Sequence, residues 1–165
     1  MTLTLVLLLL AGFTSATVTM AFLFWAERSP RMQPYLLSPD PNRNVADATI
    51  YKSAALNATF SFLLIFAMTF AAKDFLFYDR EVPWYSLVLE ILAVILIYDF
   101  AYYFMHRYPF HEWDLLRSVH AVHHAAQNPR MIDSLLLHPV ETAAGLVLLF
   151  LSMAVVGGVH VYSFG

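Results

Sequence analysis

Four long apolar runs dominate this chain, at about residues 3–25, 54–72, 85–105 and 139–161. Each approaches or reaches the ~20 residues that an α-helix needs to cross the hydrocarbon core of a bilayer. No water satisfies the backbone in that medium, so runs of this length there are restricted to helices. Composition points the same way. Of 165 residues, 60% are hydrophobic and 13% charged, against about 25% charged in soluble domains. The expected fold is an all-α integral membrane protein with about four transmembrane helices. The first run is read as a retained helix, because no positive segment precedes it and it is too long for a signal peptide. Pro139 suits the first turn of the fourth helix.

The connections carry the polar residues. Residues 27–53 hold Pro30, Pro34, Pro39 and Pro41 and read as an irregular, water-facing loop; residues 73–84 read as a short turn. Asn57-Ala58-Thr59 matches a glycosylation sequon but opens an apolar run, so it carries no weight. Seven of the nine Lys and Arg (Arg28, Arg31, Arg43, Lys52, Arg107, Arg117 and Arg130) fall on one side of a four-crossing topology, leaving Lys73 and Arg80 on the other. The positive-inside rule puts the richer side in the cytoplasm and the N-terminus outside. A net charge of −3 with scattered basic residues gives no reason to expect nucleic acid.

The cytoplasmic side also gathers histidine. The stretch "HRYPFHEWDLLRSVHAVHH", residues 106–124, holds five of the seven histidines, and none precedes it. The chain has no cysteine, so any metal must be held by nitrogen and oxygen. On an unbroken α-helix His106 and His111 would diverge by about 140°. Pro109 pushes Tyr108 out of the α region, and a kink there would let both rings aim at one place. Residues 112–124 read as an amphipathic helix. Leu115, Val119 and Val122 lie along one arc facing the bilayer surface, and His120, His123 and His124 project from an adjoining one. Neutral imidazoles converging in this way can chelate iron, copper, nickel or zinc. In the third run, Asp99, Tyr102, Tyr103 and His106 lie at i, i+3, i+4 and i+7. Asp99 and His106 therefore share a helical stripe, with His106 or its metal shell the expected partner of Asp99. The alternative is that Asp99 and the tyrosines sit at headgroup level. A zinc-protease reading fails, since "HEWDL" puts Leu115 where H-E-x-x-H needs its second histidine.

The run 99–141 resembles the fatty acid hydroxylase/sterol desaturase superfamily. The matching positions are Asp99, Tyr102, Tyr103, His106, Arg107, His111, then His120, His123 and His124, then His138, Pro139 and Glu141. The resemblance implies a membrane enzyme whose histidines hold two iron ions, with zinc able to substitute in preparations. It implies O2, an external electron donor of the cytochrome b5 or ferredoxin kind, and a lipid such as a sterol or fatty acyl chain that is hydroxylated or desaturated. His106 and His111 are then ligands from the first histidine box, and His120, His123 and His124 from the second. Asp99, Tyr103, His138 and Glu141 are candidates to support those ligands from behind. His138 and Glu141 have a second reading, as a helix-start motif with Glu141 favoured by the helix dipole. Arg107 is expected to be structural, bonding a carboxylate or a lipid headgroup.

Family members carry a further H-x-x-H-H after the fourth helix, whereas His160 here lies deep in the last apolar run. Three readings are open: a truncated chain, which is taken first, a short relative completed by another subunit, or a non-catalytic remnant with an incomplete metal site. Residues 1–84 are expected to form an N-terminal hairpin and loop, and residues 85–165 the first part of a fatty acid hydroxylase-like domain. Five imidazoles fill one ion's shell and part of a second, so this chain alone is expected to hold fewer than two ions and to be inactive.

Overall fold

A computed structural model of the chain describes residues 1–35, 46–122, 124 and 131–164. It is helical nearly throughout. Helix α1 covers Thr2–Arg28, α2 Asp47–Leu76 and α3 Trp84–Met105. A π-helical turn, His106–Phe110, continues α3 and leads to the short α4, Asp114–His120. Helix α5 is Pro139–Val156 and α6 is Val161–Phe164. Among the described residues, four helices are long and apolar enough to cross a membrane, and only 6% of the most apolar stretch of the third is buried within the protein. The protein is an all-α integral membrane protein, with apolar flanks left to lipid.

The termini of α5 show why it forms where it does. His138 is the N-cap, its Nδ1 accepting the Val140 N–H at 3.2 Å. Pro139 follows with no N–H to lose, and Glu141 lies in the first turn near the positive end of the dipole. Gly157 ends the helix in the left-handed region at φ 95°, and the Gly158 N–H returns to the Met153 carbonyl at 3.0 Å. This glycine pair stops the fourth crossing at Val156, earlier than the apolar run ending near 161 suggests, because glycine tolerates positive φ and satisfies the orphan carbonyls.

Helices α2 and α5 are both followed by a two-residue strand: β1, Phe77–Tyr78, and β2, Val159–His160, which pair in parallel. The two helices therefore cross in the same sense and are tied at their far end. The tightest apolar packing lies there, among Leu5, Leu76, Phe77, Phe150, Met153, Val159 and Val161. Glu90 of α3 accepts hydrogen bonds from the Tyr78 hydroxyl, the His160 N–H at 2.8 Å and the Ser163 hydroxyl at 2.8 Å. The bond to Glu90 raises the Tyr78 pKa above its ordinary value. His160, buried at 5% exposure, contacts the Arg80 carbonyl through Nε2 at 3.1 Å and accepts the Tyr162 N–H through Nδ1 at 3.2 Å. It is part of this knot, about 24 Å along α3 from the histidine-rich end at 1.5 Å per residue.

The water-facing connections are shorter than the proline spacing suggests. Helix α1 continues to Arg28, Gln33–Tyr35 forms a 3₁₀ turn and α2 begins at Asp47. Pro39, Pro41 and Arg43 lie outside the described residues, as do His123 and Arg130.

Candidate metal centre

Proline 109 organises the first half of the site, though not by breaking the helix. The expectation that Tyr108 leaves helical geometry is not met: the chain widens into the π turn His106–Phe110, with Pro109 inside it. A proline cannot donate to the usual i−4 carbonyl, and the wider turn relieves the clash between its ring and the preceding backbone. Widening also removes the divergence that an α-helix would impose on i, i+5 positions. The two Nε2 atoms of His106 and His111 end 3.3 Å apart.

Helix α4 supplies the second half. It is capped by Trp113 and runs only to His120, so it is shorter than the 112–124 element expected from the pattern. Leu115 is 78% exposed, consistent with a face turned to lipid. His120 points the other way and is 2% exposed, against the Phe110 ring. His124, one turn on, brings its Nε2 to 2.9 Å from that of His120. His106, His111 and His120 form one group whose ligand atoms all lie within 4.8 Å of one another. The His111 and His124 ring centroids are 5.6 Å apart, which puts His124 on the rim of the same group.

These spacings suit a metal. Metal–nitrogen bonds of about 2.0–2.1 Å place two nitrogens on one ion about 3 Å apart at right angles and about 3.4 Å apart at the tetrahedral angle. The observed 3.3 and 2.9 Å bracket that range. The donors are all imidazole, a set suited to iron, copper or zinc and poor for magnesium or calcium.

Behind the histidines stands Glu141. Its Oε1 lies 2.8 Å from His120 Nδ1, and the two side chains are 3% and 2% exposed. A carboxylate on Nδ1 fixes the tautomer, leaves Nε2 as the lone-pair donor facing the other histidines, and makes that nitrogen more basic. Glu141 also occupies the first turn of α5. His138 serves as the N-cap.

Two residues of the third run stand apart from the described histidines. Asp99 is exposed and makes no hydrogen bond or ion pair to the histidines among the described residues. Seven residues of helix span about 10 Å, so a shared stripe is not contact for a short carboxylate. Tyr103 is 55% exposed, and Tyr102 stacks on His106 instead, with ring centroids 5.8 Å apart. Tyr98 stacks in turn on Tyr102 at 5.5 Å. Arg107 is exposed, its guanidinium 5.9 Å from the Tyr108 ring centroid.

Sequence reasoning passed over Asn57. It is 4% exposed and donates through Nδ2 to the Leu137 carbonyl at 2.7 Å, while Oδ1 accepts the Thr142 hydroxyl at 3.1 Å. The available signal was an amide near the start of an apolar run, where an unsatisfied polar group is costly.

Comparison with known proteins takes in the segment that carries the histidines. Residues 91–165 match the family model for fatty acid hydroxylase. Methylsterol monooxygenase 1 of Gallus gallus is 28% identical over 118 residues, covering 68% of this chain. The chain spans 40% of that relative's length. No solved structure matches. By these matches and its ordered histidine motifs, the chain is similar to the fatty acid hydroxylase/sterol desaturase superfamily over its histidine-bearing part.

Proposed function

We propose that the protein acts in membrane-bound, O2-dependent oxidation of a lipid, hydroxylating or desaturating a sterol or fatty acyl chain at a histidine-held di-iron centre. The observation that carries this reading is the group His106, His111 and His120, with His120 held from behind by Glu141, at the membrane end of α3. His124 extends the group, and His123 completes the proposed ligand set. Bound iron, for which zinc can substitute in preparations, supplies O2 activation. The chain's own contributions are ligation, a fixed tautomer at His120 and a site beside lipid-facing helices. Five imidazoles serve one ion and part of the shell of a second, so further ligands are needed for a two-ion cage.

The orientation that goes with this reading is cytoplasmic, with the basic connections and the histidines on the side where a cytochrome b5-like or ferredoxin-like donor docks. Residues 1–84 form the anchoring hairpin, and residues 85–165 the first part of the oxygenase domain.

The test is lipid oxidation in membranes under isotopically labelled O2. The chain is expressed alone and fused to a family C-terminal segment bearing H-x-x-H-H. The fused form is expected to yield oxidised lipid, with labelled oxygen in any hydroxylated product, that disappears with His120→Ala. Metal bound to the chain without oxidised lipid in either form would favour a non-catalytic metal-binding membrane protein.

A further inference from the structure

We infer that Asn57 is a positioning residue for the His120–Glu141 pair, acting from α2 through the first turn of α5. This deepens the proposed function and rests on it where metal affinity is concerned. The amide grips both sides of the segment that carries Glu141. Its Nδ2 reaches the Leu137 carbonyl at 2.7 Å, with the Leu135 carbonyl at 3.3 Å and Ser53 Oγ at 3.4 Å. Its Oδ1 accepts from Thr142, the residue after Glu141, at 3.1 Å. Between those anchors lie His138, which caps α5, and Glu141, which holds His120.

The need for such a clamp follows from how α2 and α5 are joined. Their far ends are tied by the β1–β2 pair, but that tie is most of a helix length away from Glu141. Ligand-supporting groups must be held to within about 0.5 Å. At the near end, the His138 carbonyl is taken up by the first N–H groups of α5, but the Leu137 carbonyl just before it receives its 2.7 Å hydrogen bond from Asn57, and an unpaired buried carbonyl costs free energy comparable to a lost hydrogen bond. Asn57 satisfies that carbonyl and fixes Thr142 with the same side chain. Losing it frees the segment that aims Glu141 while leaving the crossing itself in place. The same burial means that the Asn57 amide is committed to these bonds and is not presented as a glycan acceptor.

The test uses the full chain in lipid nanodiscs with three variants: Asn57→Leu, Thr142→Val and Thr142→Ser. The first readout needs no metal: the proton signal of His120 Nδ1–H in nitrogen-labelled protein, identified by its loss in His120→Ala. It should be lost or shifted strongly in Asn57→Leu and Thr142→Val and kept in Thr142→Ser. The second readout is Co(II) affinity by chelator competition. Asn57→Leu should weaken it about 10-fold, the lower end of the effect of losing a ligand's outer partner. Added to Glu141→Gln, Asn57→Leu should cause no further loss, since both act on one contact. An unchanged His120 signal in Asn57→Leu, or losses that add in the double variant, would overturn the inference. If the wild type takes up no Co(II), the metal reading fails, and the His120 signal still decides the role of Asn57. If Asn57→Leu does not fold, Thr142→Val against Thr142→Ser decides it by the same signals.

Discussion

Glu141 and His120 are 21 residues apart in sequence and 2.8 Å apart in space, one on α5 and the other on α4. Both are almost fully buried. A buried carboxylate is costly unless paired, so the contact binds α4 to α5 and orients an imidazole at once. Glu141→Gln keeps the size but removes the charge that holds the Nδ1 proton. Metal affinity, measured by chelator competition, should fall ~10–100-fold while the helical content stays unchanged.

The π turn gives a second expectation. With Pro109→Ala an N–H returns, the segment can tighten to regular α geometry, and His106 and His111 separate toward the about 140° of an ideal helix. Metal affinity should fall at least ~10-fold, with a smaller loss for Tyr108→Ala, which leaves the proline in place. Equal affinities for Pro109→Ala and wild type would show that the turn is set by something other than the proline.

At the far end, Gly158 has φ +92°, and a Cβ there would lie 3.0 Å from the Leu76 carbonyl oxygen. Gly157, at φ +95°, has open space around it. Gly157→Ala should cost ~1–2 kcal/mol for the left-handed backbone alone. Gly158→Ala should cost more, because the strand pair β1–β2 must also give way. Thermal unfolding in detergent would rank them; a smaller loss for Gly158→Ala would contradict the packing described.

Orientation is directly measurable, because the chain has no cysteine of its own. Single cysteines in place of Glu81 and Glu112 should label oppositely with a membrane-impermeant thiol reagent applied to intact cells. Glu81→Cys should react from outside and Glu112→Cys only after permeabilisation. The reverse pattern would place the histidines away from an intracellular electron donor.

The crossings were legible in sequence because a helix facing lipid is apolar all round, so length and composition suffice to find it. His120 and His124 were legible as i, i+4 neighbours on one face. Contacts between distant segments were not: neither Glu141 on His120 nor Asn57 on Leu137 leaves a local pattern. The stripe joining Asp99 to His106 misled because angular agreement ignores rise along the axis, and Tyr102, a turn nearer, occupies the place assigned to Tyr103. Gly157-Gly158 was a stop signal inside an apolar run, and hydropathy alone overran it.

The most direct test of the metal centre is iron X-ray absorption on the chain after anaerobic Fe(II) loading and a chelator wash. The expected result is retained iron with an imidazole nitrogen shell at about 2.0–2.2 Å, lost in His120→Ala. Iron that washes out completely, or a shell of oxygen ligands untouched by His120→Ala, would contradict the assignment.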